Sequence, residues 1–269
     1  MEACYASDVN RDLAFALAVA REAGALTLRY FGSERLGVET KGDGTPVTQA
    51  DREAERLLVE RIRAAFPDDG ILGEESGEKH GTSGRRWILD PIDGTKSFVR
   101  GVPLYGTLVA LEAQGQPALG VICLPALREA VFAARGEGAF WVRDLGHGEV
   151  SVRARVSAVG RLDEALVCTT SPRGFERSGH VDFYERVRQR TKTERGWGDC
   201  YGHALVATGR AEVMLDPIMA IWDCAALQPI VEEAGGRFTD FSGAPTHRGG
   251  SAISTNLAVA DEVRALARG

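Results

Sequence analysis

Apolar residues recur at helical spacing twice near the start of the chain. Leu13, Ala16, Leu17 and Ala20, continued by Gly24 and Leu28, predict an amphipathic helix from about Asp8 to Tyr30, stopped near Gly32. Gly24 inside that stripe leaves room for another helix to approach. Lys41-Gly42-Asp43-Gly44-Thr45-Pro46 reads as a loop from its turn residues. A second stripe, Ala50, Ala54, Leu57, Leu58, Ile62 and Ala65, predicts a helix opened at Thr48 and ended by Pro67. Thr48 and Asp51 have the spacing of a capping box with a shortened acid.

The period then changes. Trp87-Ile88-Leu89 is a short apolar run ending at Asp90-Pro91. Proline lacks an N–H and biases its predecessor to extended geometry, which predicts the end of a strand there. Tyr105–Glu112, Ala118–Leu124, Ala130–Arg135 and Ala139–Arg143 read as an antiparallel meander, with Ser151–Ser157 as a further strand or edge. Past Arg161 the pattern alternates. Strands are predicted at Ala165–Thr169, Thr191–Arg195, Ala211–Leu215 and Ser251–Thr255, and helices at His180–Arg190, Asp199–Thr208, Cys224–Ala234 and Leu257–Arg268. Pro229 is placed to kink the third of these helices, and Gly235-Gly236 to stop it. With no repeat or low-complexity linker, residues 1–269 read as a single domain of two lobes, about 1–150 and 151–269, divided near Leu145–Gly160.

Composition narrows the class. A net charge of -6 and the lack of a basic run argue against nucleic acid as a partner. The five cysteines are scattered, with no CxxC or Cys/His ligand spacing, which fits a reduced, cytoplasmic chain with buried thiols. No charged leader precedes an apolar segment and no apolar run approaches ~20 residues, so neither a signal peptide nor a membrane span is expected.

Five acids fall at the ends of predicted elements: Asp51, Glu74, Asp90, Asp93 and Asp223. Each has an ordinary structural use. Asp51 can cap the second helix and Asp223 the helix that follows it. Glu74-Glu75 fits a solvated edge, Asp90 a strand-end turn, and Asp93-Gly94 an Asx-turn. Taken together, Asp90-Pro91-Ile92-Asp93-Gly94-Thr95 asks for more. Gly94 permits a tight turn and Thr95 is suited to cap a short helix through Phe98 or Arg100. Hard oxygen donors beside free helix-start N–H groups can hold a divalent cation and an anion together. Hydrolysis of a phosphate monoester fits, since that reaction is among the slowest uncatalysed ones and needs strong electrostatic assistance.

Gly73-Glu74-Glu75-Ser76, Asp90-Pro91-Ile92-Asp93-Gly94-Thr95 and Trp222-Asp223-Cys224-Ala225-Ala226, with Gly235-Gly236 after the last, resemble the three motifs of the inositol monophosphatase-like family. The resemblance runs in order from the first helix to the C-terminus. It implies a mixed α/β fold, a layered α/β/α/β/α sandwich, commonly homodimeric. It also implies two or three Mg2+ ions per site, with Glu74, Asp90 and the Ile92 carbonyl holding one and Asp90, Asp93 and Asp223 a second. Thr95, bonded to Asp51, would activate the attacking water with Glu74, and the Gly94 and Thr95 N–H groups would receive the phosphate of a small-molecule ester.

Within that family, Thr95-Lys96-Ser97-Phe98, Arg100-Gly101-Val102-Pro103 and Arg195-Gly196-Trp197-Gly198-Asp199-Cys200-Tyr201-Gly202-His203 resemble the histidinol-phosphate phosphatase branch. By resemblance Asp199 and Asp216 fall where the leaving alcohol is contacted. Two extra carboxylates suit the amine of histidinol, although Asp199 also serves as a helix cap and Asp216 as a turn residue before Pro217. Arg195 is assigned to substrate or to a neighbouring subunit, Lys41 to the site or the surface, and His203 to packing or an interface. The competing readings are an inositol 1-phosphate phosphatase of broad specificity, a nucleotide or sugar bisphosphatase, and a regulatory binding protein. A segment around Gly42-Asp43-Gly44 that closes over substrate stays open at this point.

Overall fold

In a computed structural model, residues 2–33, 36–42 and 44–268 are described, with side chains from residue 11 onward. Helix α1 (Glu2–Thr27) buries Leu13, Ala16, Val19, Ala20 and Ala23, whereas Leu28, beyond its end, is 41% exposed. At Gly24 a Cβ would lie 3.2 Å from Pro125 Cβ and 3.3 Å from Cys123 Sγ, so the close approach is to the short 3-10 helix Pro125–Leu127 and the strand end that precedes it. A small antiparallel ribbon follows, β1 (Val38–Thr40) and β2 (Pro46–Thr48), and leads into α2 (Gln49–Ala65). The capping box forms: Thr48 Oγ1 accepts the Asp51 N–H, and Asp51 Oδ2 accepts the Thr48 N–H at 2.8 Å.

Next come β3 (Gly70–Gly73), β4 (Gly77–Lys79), β5 (Arg85–Asp93) and the short α3 (Thr95–Val99). The meander follows as β6 (Gly106–Ala113), β7 (Gln116–Leu124), β8 (Glu129–Ala134), β9 (Gly138–Arg143) and β10 (Val150–Arg153). These strands make an eight-stranded sheet, ordered β10-β9-β8-β7-β6-β5-β3-β4, in which only the β3–β5 pair is parallel. The expected strand end at Asp90-Pro91 is not found. β5 continues to Asp93 through a bulge, with Asp90 opposite Leu108 and Asp93 opposite Gly106. A bulge leaves one residue outside the ladder, so a proline without an N–H is tolerated there. The Pro91 carbonyl is instead taken by Thr107 Oγ1 at 2.9 Å.

The rest of the chain supplies β11 (Leu166–Thr169), α4 (Pro172–Ser178), α5 (Val181–Arg188), β12 (Thr193–Arg195), α6 (Asp199–Ala207) and β13 (Val213–Asp216). It closes with α7 (Ile221–Ala225), α8 (Leu227–Glu233), β14 (Arg237–Thr239), β15 (Ala252–Thr255) and α9 (Ala260–Arg268). The second sheet has the order β12-β11-β13-β15-β14. The helix expected over Cys224–Ala234 is two helices broken at Ala226. Pro229 cannot donate to the Ala225 carbonyl and its ring crowds that group, which accounts for the break.

Three apolar layers hold the sheets. Leu13, Ala16 and Ala20 of α1 and Leu58 and Ile62 of α2 pack on Trp87, Leu89, Val109 and Val121. On the other face, Ile88, Leu108 and Ile122 meet Cys224, Leu227 and Ile230 of α7 and α8, with Ala204 of α6. α6 also covers one face of the second sheet through Leu205 and Val206 against Cys168 and Met214. Phe175, Phe183, Val187 and Val263 of α4, α5 and α9 cover the other. The order is therefore helix, sheet, helix, sheet, helix, as the resemblance implied. Cys123, Cys168, Cys200 and Cys224 are buried thiols, and Cys4 lies outside the described side chains. Among the described residues no helix is long and apolar enough to cross a membrane.

Candidate active site

The β5 bulge turns Asp90 and Asp93 toward one place. Asp90, 2% exposed, accepts the Ile92 N–H on Oδ1 at 3.0 Å. Gly94 follows in the left-handed region at φ +88 and precedes α3, so it, not Thr95, stands at the cap position. Asp223 reaches the same place from α7. It is the third residue of that helix rather than its cap, and its Oδ2 accepts the Ala220 N–H at 2.7 Å. One carboxylate oxygen from each of Asp90, Asp93 and Asp223 lies within 4.8 Å of the others. Asp93 is anchored from α6 by the Cys200 N–H on its Oδ2.

Such a cluster carries its own repulsion. Burial, then the charges of Glu74, Asp93 and Asp223, push Asp90 well above the usual carboxylate range. Burial, then Asp199 and Asp223, do the same to Asp93. Asp223 is pushed up to about 7 by burial, against the Ala220 hydrogen bond and helped by Glu74 and Asp216. A hard divalent cation fits this donor set. Its ligands are all oxygens, and its charge offsets the repulsion that otherwise drives protons onto them.

Glu74 stands at the edge of this cluster, on the turn after β3. Lys41 Nζ bridges Glu74 Oε1 at 2.7 Å and Glu75 Oε1 at 2.5 Å, which answers the question left open for that lysine. Burial alone would lower the Lys41 pKa, but these two hydrogen bonds outweigh it and hold the ammonium above its usual value. Thr95 Oγ1 donates to the Ile92 carbonyl at 3.0 Å and lies 3.5 Å from Asp51 Oδ1, so the Asp51 contact is the longer of the two. Asp51 is 1% exposed, and burial raises its pKa.

A cavity of about 500 Å³ opens over the cluster, bordered by Glu74, Asp90, Ile92, Asp93, Gly94, Thr95, Asp199, Asp216 and Asp223. Asp51 sits behind Thr95 rather than on the cavity wall. Asp199 comes close to the helix start: a Cβ on Gly94 would be 3.1 Å from Asp199 Oδ2. Burial and the nearby Asp216 push Asp199 up to about 7, with Lys96 opposing. Arg195 does not border the cavity. It is exposed, donates to the Glu194 carbonyl at 2.7 Å and lies over the Trp197 ring. Of the Gly42–Gly44 segment, Gly44 borders the cavity and Asp43 lies outside the described residues.

Sequence reasoning missed several contributors. Glu55, 2% exposed on α2, accepts the Glu75 N–H at 2.8 Å and the Ser76 N–H at 2.7 Å, and so shapes the turn that carries Glu74. Its position four residues after Asp51 puts both acids on one helix face, which was the available signal. Lys96, Arg173 and Arg177 add positive charge to the cavity wall. Nothing in the local pattern of α4 announced the two arginines.

This layered fold with a carboxylate cluster at a bulged strand end defines a class. Residues 8–267 match the family model described as the inositol monophosphatase family, and the chain belongs to that family. Two relatives carry the name histidinol-phosphatase. The one from Chlorobaculum parvum is 50% identical over 232 residues, 86% of each chain. The one from Mycobacterium tuberculosis is 42% identical over 252 residues, 94% of this chain and 96% of that one. Among solved structures, the extragenic suppressor protein suhB from Bartonella henselae is 32% identical with a TM-score of 0.85, over 96% of this chain and 98% of that one.

Proposed function

We propose that the chain is a Mg2+-dependent phosphatase that hydrolyses L-histidinol phosphate to L-histidinol and inorganic phosphate. The observation that carries the reading is the set of three carboxylates within 4.8 Å at the floor of a cavity whose wall adds Asp199 and Asp216. The names of the relatives at 50% and 42% identity support the substrate.

In this reading Glu74, Asp90, the Ile92 carbonyl, Asp93 and Asp223 hold two or three cations. Bound Mg2+ would supply Lewis-acid polarisation of the phosphoryl oxygens and a more acidic water. The Thr95 hydroxyl, backed by Asp51, orients the attacking water, and Glu74 accepts its proton. The Gly94 and Thr95 N–H groups, at the start of α3, receive phosphate oxygens. Asp199 and Asp216 receive the ammonium of the leaving alcohol. Arg195, off the cavity, fits the alternative of a contact in a homodimer. Buried, unpaired Cys123, Cys168, Cys200 and Cys224 support a reducing, cytoplasmic setting.

Phosphate release from histidinol phosphate, inositol 1-phosphate and fructose bisphosphate, with Mg2+ or EDTA, tests the reading. Preference for histidinol phosphate and loss of turnover in EDTA are expected. A tenfold preference for inositol 1-phosphate would move the assignment to the broad phosphatase. No release from any ester with Mg2+ present would favour a binding protein.

A further inference from the structure

A chain of polar side chains runs inward from the cavity wall, from Thr170, which is exposed and borders the cavity, to Asp216, His203 and Ser254, which are buried. Thr170 Oγ1 receives the Asp199 N–H at 2.8 Å and donates to Asp216 Oδ2 at 2.9 Å. His203, on α6 and 0% exposed, approaches the same oxygen: its Nε2 lies 3.5 Å from Asp216 Oδ2. That nitrogen has no hydrogen-bond partner among the described residues. Its other nitrogen, Nδ1, lies 2.7 Å from Oγ of Ser254, which is itself 0% exposed, on β15.

An unpartnered nitrogen on a fully buried ring is costly, about 1–3 kcal/mol, and calls for a reason. The neighbours supply one. A lone pair on Nε2 would face a carboxylate oxygen, which is repulsive. A proton on Nε2 would face it favourably, and Nδ1 would then accept from the Ser254 hydroxyl. Asp216 therefore selects the tautomer, and the Ser254 hydroxyl, which can donate or accept, accommodates it. A movement of a few tenths of an ångström brings the Nε2–H into full hydrogen-bond range of Asp216.

We infer that His203 is a positioning residue for substrate choice. Its Nε2–H and the Thr170 hydroxyl converge on Oδ2 of Asp216 and fix the plane of that carboxylate. The other oxygen, Oδ1, receives no hydrogen bond from the described residues and is left for a cationic group of the leaving alcohol. The inference deepens the reading of Asp216 as an ammonium contact and rests on it. His203 touches neither substrate nor the carboxylate cluster. It acts only through Asp216, and so bears on which alcohol is held rather than on how fast the ester breaks.

The test measures kcat and KM for histidinol phosphate and for glycerol 2-phosphate, an ester of a neutral alcohol, in the Mg2+-loaded enzyme. His203→Asn removes the donor at the Nε2 position, and His203→Gln restores an amide N–H near it. His203→Asn should raise KM for histidinol phosphate about tenfold, the worth of roughly one hydrogen bond to a charged group. Its kcat, and KM for glycerol 2-phosphate, should move less than about twofold, and His203→Gln should recover most of the lost affinity. Equal KM changes for the two esters, or no recovery with glutamine, would overturn the inference. Asp216→Asn separates the two levels. If it affects both esters alike, the ammonium reading itself fails. If it discriminates and His203→Asn does not, only the role of His203 falls. Should the His203 variants misfold, Ser254→Ala frees the ring without removing it. The same but smaller KM split is expected there, and its absence would also overturn the inference.

Discussion

Replacing Glu55 by alanine tests how the acidic turn is built. Glu55 is 2% exposed and touches no substrate position. Its two oxygens accept the N–H groups of Glu75 and Ser76 at 2.8 and 2.7 Å. Gly73 makes room for it, since a Cβ there would lie 2.4 Å from Glu55 Oε1. Hydrogen bonds to a charged group contribute roughly 1.5–3 kcal/mol each, so losing both removes about 3–6 kcal/mol. Relief from burying the carboxylate offsets part of this, and a net loss of about 3 kcal/mol is expected in urea unfolding. Glutamine keeps one acceptor and turns an amide against the second N–H, so Glu55→Gln should lie between wild type and alanine. Because the turn carries Glu74, the apparent Mg2+ constant for turnover should rise about 10-fold or more in Glu55→Ala, the usual scale for a residue that orients a ligand. An unfolding midpoint and a Mg2+ dependence both equal to wild type would refute the account of the turn.

Asp93→Asn should do opposite things to stability and turnover. Metal-free variant should melt above metal-free wild type, because the buried charge that Asp199 and Asp223 oppose is gone, while turnover falls strongly and Mg2+ no longer raises the melting point as it does for wild type; a lower metal-free melting point or a near-wild-type rate would count against the cluster. Gly94→Ala places a Cβ at φ +88, 3.1 Å from both Asp199 Oδ2 and the Leu104 carbonyl. A loss of about 1–2 kcal/mol and slower turnover are expected, and unchanged thermal melting and kinetics would show that the turn relaxes freely. A pH effect should come from the clamp in which Arg86, His247 and Arg248 surround Glu112 of β6. Burial holds His247 below its ordinary 6.5, against the Glu112 hydrogen bond. Burial would raise Glu112, but His247, Arg86 and Arg248 outweigh it and hold it below 4.5. In both cases the unfolded chain takes up protons first, so their stabilisation is present above the ordinary pKa and is lost as pH falls through the folded one. Wild type should therefore lose stability more steeply than His247→Gln as pH falls below 6.5, and parallel curves would exclude the histidine from the effect.

What was legible depended on how far apart the partners lie. α1, α2 and the meander announce themselves because one apolar stripe or one alternating run faces one layer. The passage of β5 through Pro91 does not, because a bulge is a relation between two strands and Asp93 finds its partner only at Gly106. The break at Ala226 needed the ring of Pro229 placed against a carbonyl, and α4, with Phe175 as its buried residue, is too short for a period to emerge. The site divides the same way. Asp90, Asp93 and Gly94 are close in sequence, so their juxtaposition could be read directly. His203 could not, since its serine partner is 51 residues away, and Glu55 shows only a shared helix face with Asp51, its acidic-turn partner lying 20 residues on. These two kinds of residue also bear the electrostatic burden differently. The local motif concentrates negative charge in a buried place, and burial first, then the neighbouring carboxylates, raises its pKa values. Residues outside the hexapeptide supply the hydrogen bonds that keep that charge in place: Cys200 N–H on Asp93 and Thr170 on Asp216 from far along the chain, and Ala220 N–H on Asp223 from three residues before it. A motif transplanted without those anchors would keep the acids and lose their convergence, because nothing in the hexapeptide itself holds like charges together.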